Sequence, residues 1–197
     1  MCGRYYIEID EIEWQEIVSE IEERMKDEYE QMYLKLLKTR GEIFPSDIVP
    51  VRAGPGGYEP MKWGFILPGG KGKGRAVINA RSETALEKPM FRQSMTERRC
   101  LIPASGYYEW QKSGSKKTKY QLYLPDNPIY FAGCYRQERN SPLHHFVILT
   151  RQAVDSIGFI HDRMPVIIPP NGVDAWLNGS LGAMEDATTE LSYEQVF

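Results

Sequence analysis

The second residue is a cysteine, in Met1-Cys2-Gly3-Arg4, and its position decides what chemistry it can do. A small residue after the initiator lets an aminopeptidase remove Met1 and expose Cys2 as the N-terminus. That residue then carries an α-amine of pKa about 8 and a thiol of pKa about 8.5 on adjacent carbons. An amine and a thiol so placed suit an aldehyde: the amine condenses to a Schiff base, and the thiol closes on it as a thiazolidine. Both groups are covalent nucleophiles in catalysis. A cysteine at this position can equally be incidental, because cysteine signatures do not transfer by themselves.

Four other segments place polar groups where folding alone gives little reason for them. Val77-Ile78-Asn79-Ala80-Arg81-Ser82-Glu83 sets Asn79 and Arg81 where an apolar strand ends. Leu101-Ile102-Pro103-Ala104-Ser105-Gly106-Tyr107-Tyr108-Glu109-Trp110 puts an acid between two aromatics. In a strand, Tyr107 and Glu109 share one face while Tyr108 and Trp110 share the other. An acid on an inward face is suited to proton transfer. Ile160-His161-Asp162-Arg163-Met164-Pro165 gathers three ionisable residues ahead of the apolar Val166-Ile167-Ile168. Met61-Lys62-Trp63-Gly64-Phe65 offers an indole fit to stack on a base and equally fit for a core. Plainer roles stand beside each: Glu109 paired with an arginine, His161 hydrogen-bonded at a strand edge, Asn79 capping a helix, and Trp63 and Trp110 in the core. His144 and His145, adjacent on a strand, point to opposite faces and read as structural.

These groups need a scaffold, and 197 residues with 42% apolar and 26% charged side chains suffice for one domain, 1–197, with a substantial core. No apolar run approaches the roughly 18 residues of a membrane span. The N-terminus lacks the basic and apolar segments of a secretory signal. Three cysteines, Cys2, Cys100 and Cys134, show no CxxC spacing. That argues against a disulfide framework or a metal site, and for a reducing cytoplasm. No cofactor is expected.

The apolar spacing predicts one long amphipathic helix over 11–38, stopped by Gly41. Beyond it, short apolar runs divided by glycine and proline predict strands at 48–51, 59–65, 75–80, 99–103, 106–111, 119–124, 129–136, 145–150 and 165–168. Loops are expected at 54–57 and 68–74 and a basic hairpin tip at 112–118. Short helices are expected at 84–96, 153–160, 173–178 and 183–195. The fold class is α+β: a mainly antiparallel curved sheet or open β-barrel with flanking helices. Charge is divided along it. Residues 8–30 carry eleven acids against two bases, and residues 71–119 carry twelve bases against four acids. The basic segment is either a solvated face or a surface for a phosphate backbone.

Met1-Cys2-Gly3-Arg4, Asn79-Ala80-Arg81-Ser82-Glu83-Thr84, Arg98-Arg99-Cys100-Leu101-Ile102-Pro103 running into Gly106-Tyr107-Tyr108-Glu109-Trp110, and His161-Asp162-Arg163-Met164-Pro165 occur in that order. Together they resemble the SOS response-associated peptidase family, whose members shield abasic sites in single-stranded DNA. The resemblance runs from Cys2 to about Pro169 and leaves the acidic helix as an elaboration. It implies that Cys2 captures the ring-opened abasic aldehyde and forms a thiazolidine cross-link. It implies that Glu109 handles protons, that His161 protonates the sugar oxygen or imine, and that Asn79 orients the amine or sugar. Arg81 would meet a flanking phosphate, and Gly3, Arg4, Trp63, Met90, Phe91 and Trp110 would line the strand groove. The implied partner is abasic single-stranded DNA, met by a monomer. A cysteine peptidase acting on its own leader, a noncovalent single-strand binder and a weak abasic lyase stand as alternatives. Two departures are visible: Ala153 is followed by Val154 where the family usually has asparagine, and the chain stops at Phe197, which implies a thinner C-terminal wall.

Overall fold

Short apolar runs separated by turn residues become paired strands when their backbones have no helical partner, and here they do so throughout. The computed structural model describes residues 2–8, 11–25, 32–54, 57–67, 76–125, 129–185, 187 and 190–196. Its strands are β1 (Arg4–Ile7), β2 (Gly41–Ile43), β3 (Ile48–Ala53), β4 (Tyr58–Trp63), β5 (Phe65–Ile66), β6 (Ala76–Val77), β7 (Asn79–Arg81) and β8 (Arg99–Ala104). They continue as β9 (Gly106–Ser113), β10 (Lys116–Tyr123), β11 (Ile129–Gln137), β12 (His144–Gln152), β13 (Arg163–Pro165), β14 (Ile167–Ile168) and β15 (Ser192–Val196). The α-helices are α1 (Glu11–Arg24), α2 (Pro89–Glu97), α3 (Asp155–Gly158) and α4 (Val173–Leu177).

Strands β12, β4, β3, β8 and β11 pair in that order, and β11 pairs back onto β12, so five strands close a barrel. The α+β class therefore holds, with the barrel closed rather than open. Closure leaves no unpaired edge in that ring. Only the β12–β4 step is parallel, and β7 extends it with Asn79 opposite Ile148. A second sheet, ordered β15-β10-β9-β1-β2, lies against the barrel. Tyr5 of β1 joins the two, its ring 5.3 Å from Trp63 and 5.7 Å edge-on to Phe131.

Two cores result. One gathers Trp63, Ile102, Phe131 and Phe146 of the barrel with Tyr5, Ile7 and Tyr107 of the second sheet, and Ile17 and Ile21 of α1 lie over it. The other gathers Leu101, Val147 and Leu149 with Phe91 and Met95 of α2 and Trp176 of α4. Neighbouring residues of β8 and β12 thus serve opposite cores, as the strand period requires.

Four sequence expectations change. The helix expected over 11–38 is interrupted: α1 ends at Arg24, residues 32–34 are again helical, and Leu37 forms a parallel bridge to Ile48. Residues 26–31 lie outside the described residues. Tyr33, Leu34 and Leu37 still pack on the first core, so their apolar spacing is satisfied without one continuous helix. In the 84–96 segment, helix begins only at Pro89. Lys88 before it is extended, at φ −77° and ψ 124°, as a residue preceding proline prefers. The helix expected at 183–195 is instead a 3-10 turn over Gly182–Met184 followed by β15, which covers the edge of β10 from Lys119 to Tyr123. The strand expected at 75–80 is the two short strands β6 and β7. The 68–74 loop, with Lys71 and Lys73, lies outside the described residues, as do Pro55 and Gly56. The basic hairpin at 112–118 is present, with Gly114 at its turn at φ +60°.

Gly106 sits where β9 is squeezed between β1 and β10, opposite both Tyr6 and Tyr123. A Cβ there would lie 2.5 Å from the Leu122 carbonyl oxygen and 2.5 Å from the Tyr6 hydroxyl. The backbone oxygen cannot move without breaking the ladder. Gly106→Ala is expected to cost about 1–3 kcal/mol, a fall in Tm of roughly 2–4 °C per kcal/mol for a chain of this size, read by thermal melting.

Candidate active site

Cys2 lies immediately ahead of β1 and is fully buried. Its Sγ is 3.9 Å from the Arg4 carbonyl oxygen. The Asn79 amide Nδ2 donates to the Cys2 carbonyl oxygen at 2.7 Å. Asn79 is held there by β7 lying along β12, and by Trp63 Nε1, which donates to the Ile78 carbonyl oxygen at 3.0 Å. The second side-chain atom of Asn79, Oδ1, is buried and accepts no hydrogen bond. It is a buried acceptor without a donor, on the side chain that bonds Cys2.

Glu109 is 5% exposed and shares the inner face of β9 with Tyr107, while Tyr108 and Trp110 take the outer face. The Cys2 thiol is pushed well above its ordinary value, first by burial and then by the charge of Glu109. The thiol is therefore neutral near pH 7 and electrostatically coupled to that carboxylate. The Tyr107 hydroxyl is likewise pushed up by burial, then by Cys2 and Glu109, so the three groups share one desolvated region.

His161 follows α3. Its Nδ1 lies 3.0 Å from the Arg163 backbone N–H and 2.7 Å from Asp162 Oδ1. These contacts exclude one another. A bare Nδ1 accepts from Arg163 and leaves the proton on Nε2, whereas a protonated Nδ1 donates to Asp162. Nδ1 therefore has a partner whether or not it carries the proton.

Arg163 fixes the loop that carries His161. Its Nη1 and Nη2 donate to Glu83 Oε1 and Oε2 at 2.7 and 2.8 Å, and Nη2 also donates to the Thr150 carbonyl oxygen at 2.6 Å. This planar fork ties the turn after Asn79 to β13 and so sets His161 relative to Asn79. Nothing in the sequence paired Glu83 with Arg163; they are 80 residues apart.

Two depressions are lined by these residues. A cleft of about 530 Å³ is lined by Gly3, Arg4, Glu109, Trp110 and His161, together with Lys112 and Lys117 of the basic hairpin. A groove of about 480 Å³ is lined by Asn79, Arg81, Lys88, Met90 and Phe91 among others. Asn79 links them, because it lines the groove and bonds the residue beside Gly3. Trp63 is corrected: it is fully buried, stacks on Phe146 with centroids 6.3 Å apart, and offers no face to a base. Phe91 is 5% exposed and packs on Phe65, so only its edge reaches the groove. Asn79 caps no helix. His144 contacts Glu59, and buried His145 contacts the Gly64 carbonyl and Ser141. Among the described residues no His, Cys, Asp and Glu group could hold a metal ion, and no helix is long and apolar enough to cross a membrane.

The family model of the SOS response associated peptidase (SRAP) matches residues 1–195. The chain is 38% identical over 125 residues to the abasic site processing protein YoaM of Bacillus subtilis, covering 60% of this chain and 55% of that one. It is 34% identical over 130 residues to the abasic site processing protein YedK of Escherichia coli, covering 64% and 58%. The chain thus spans little more than half the length of these curated relatives. A Bacteroides thetaiotaomicron protein of solved structure superposes with a TM-score of 0.76 at 20% identity, over all of this chain and 92% of its own. A phage-related protein from Bordetella bronchiseptica gives 0.71 at 24% identity, over 99% and 94%. Those structural likenesses concern the fold.

The Glu83–Arg163 fork has a pH signature. Hydrogen bonding from Arg163 is the main cause that holds the Glu83 carboxyl below its usual value. A depressed folded value stabilises the fold fully above the unfolded pKa of about 4.3 and loses that contribution as pH falls through the folded value. Glu83→Gln is expected to cost up to about 1 kcal/mol at neutral pH, since Glu83 is half-exposed. Urea melts should show the gap from wild type closing as pH drops below about 4.

Proposed function

The chain belongs to the SOS response associated peptidase family, and from that membership and the Cys2 site we propose that it captures abasic sites in single-stranded DNA as a covalent cross-link. The observation that carries the reading is that Asn79 bonds the buried second-position cysteine, while Glu109, whose charge acts on its thiol, lines the cleft beside Gly3 together with His161. The relatives' shared name, abasic site processing protein, supports the choice of substrate.

The steps follow from the groups. Removal of Met1 turns the Cys2 amide nitrogen into an amine, and the unfilled Asn79 Oδ1 is an acceptor for one of its N–H bonds. An abasic sugar opens when its C1′–O4′ bond breaks: the C1′ hydroxyl gives up its proton as the aldehyde C=O forms, and O4′ takes one that His161 supplies from the cleft, the released proton restoring the imidazole. The amine nitrogen then bonds to C1′ and water leaves, giving the imine. The thiol adds across the C=N bond: sulfur bonds to C1′ and the proton reaches nitrogen. Glu109 is the carrier for that proton, because the thiol beside it is otherwise held neutral. Arg81 and Lys88 in the groove, and Arg4, Lys112 and Lys117 in the cleft, follow the phosphates on either side of the captured residue.

The raised thiol weighs against a cysteine peptidase, whose attacking group is a thiolate of lowered pKa. It suits a thiol that acts second, on an imine already formed. Were the thiol absent, the imine alone would permit β-elimination and strand cleavage.

Met1-processed protein mixed with single-stranded DNA carrying one abasic site is expected to give a shifted band on a denaturing gel, with the adduct mass on the N-terminal peptide. Cys2→Ala should lose the stable adduct while keeping affinity for undamaged single strands; an undiminished adduct would end the proposal. Glu109→Gln is expected to slow cross-linking by roughly 10²–10⁴-fold, the usual worth of a proton-transfer group, with binding retained.

A further inference from the structure

The outer face of the second sheet carries Arg4, Glu42, Phe44, Tyr108, Trp110 and Lys119 side by side. Strand pairing puts them there: Arg4 lies opposite Tyr108, Lys119 opposite Trp110, and Glu42 opposite Tyr6. Two cations converge on a single carboxylate oxygen. Lys119 Nζ lies 2.9 Å from Glu42 Oε1, and Arg4 Nη1 lies 3.5 Å from the same atom. Both cations also rest on aromatic faces. The Arg4 guanidinium is 4.6 Å from the Phe44 ring centre and 5.2 Å from that of Trp110, and Lys119 Nζ is 3.7 Å from that of Tyr108.

An anionic oxygen gripped by a guanidinium and an ammonium, on a floor of rings, has the form of a nucleotide phosphate subsite. Here the protein fills it with its own carboxylate. Burial opposes the Glu42 charge, but the hydrogen bond from Lys119 and the charges of Lys119 and Arg4 more than offset it and hold the carboxyl below its usual value. The anion is therefore present at every pH at which DNA would bind. Arg4 also lines the Cys2 cleft, so the subsite adjoins the reacting centre.

We propose that Glu42 is a built-in stand-in for a DNA phosphate, which an incoming strand must displace from Arg4 and Lys119. The inference rests on the single-strand reading above. Its effect is on selectivity. With Glu42 in place the pair of cations presents one net charge rather than two, and undamaged DNA gains less from binding beside the cleft. A strand that becomes covalently joined at Cys2 is held regardless, so the displacement penalty falls on strands without an abasic site.

The test uses Met1-processed protein, a fluorescent oligothymidylate without abasic sites, and a salt titration. Glu42→Gln is expected to bind about three- to tenfold tighter than wild type at low salt, with a slope of log K against log salt steeper by about 0.7, one added phosphate contact on a single strand. Lys119→Met in the Glu42→Gln background should remove the gain. Thermal melts check that the variants fold, and Glu42→Ala gives the same reading if the glutamine amide misplaces Lys119. Wild-type binding with no gain in either folded Glu42 variant, or a gain without a steeper slope, overturns the role of Glu42. If neither wild type nor variant binds the oligonucleotide at any salt, the single-strand reading itself falls, and this inference with it.

Discussion

One hydrogen bond, from the Asn79 amide to the Cys2 carbonyl oxygen, fixes where Cys2, the proposed nucleophile, lies. A chain terminus ordinarily frays, because few contacts hold it. This one is anchored from two directions. β1 begins two residues later and is paired on both sides, with β9 and with β2. Asn79 reaches it from the parallel edge of the barrel, where β7 is locked to β12. The closed ring of strands is what makes that anchor rigid, and Trp63, placed at its centre, steadies the residue before Asn79. The barrel therefore acts on the chemistry at one remove, by fixing an amide.

Around that anchor the groups are sorted by sheet face. The inner face of β9 brings Glu109 and Tyr107 into the desolvated region beside Cys2, and its outer face brings Tyr108 and Trp110 toward water and cations. A single strand thus supplies an acid to one environment and stacking surface to another, with the pleat alone separating them. The hairpin that follows carries Lys112 and Lys117 to the mouth of the cleft. Positive charge is concentrated at that mouth, although the whole chain is net negative.

Much of this was legible in the sequence where the period of two operates. The opposed faces of Tyr107-Glu109 and Tyr108-Trp110 follow from alternation, and the structure has them so. The basic hairpin followed from its turn composition. What sequence could not supply was pairing across distance. Glu42 meets Lys119 across 77 residues and Glu83 meets Arg163 across 80, and neither acid stands out in its local segment. Trp63 carried no local sign of its depth, because an indole beside a glycine reads alike in a core and on a surface. The helix expected over 11–38 is met at 11–24 and 32–34 but not as one continuous helix, for a related reason. Its apolar spacing was real, but Leu37 spends it on a bridge to Ile48, and only tertiary context distinguishes those outcomes.

Sealing the Cys2 sulfur away has a consequence for the life of the protein before it meets any target. An exposed cysteine sulfur would be consumed by whatever oxidants the surroundings contain, since the thiolate is the species they attack. A sulfur with no accessible surface and a firmly held proton reacts slowly with all of them. The sulfur is thereby kept reduced in the folded chain, available to the chemistry proposed for it.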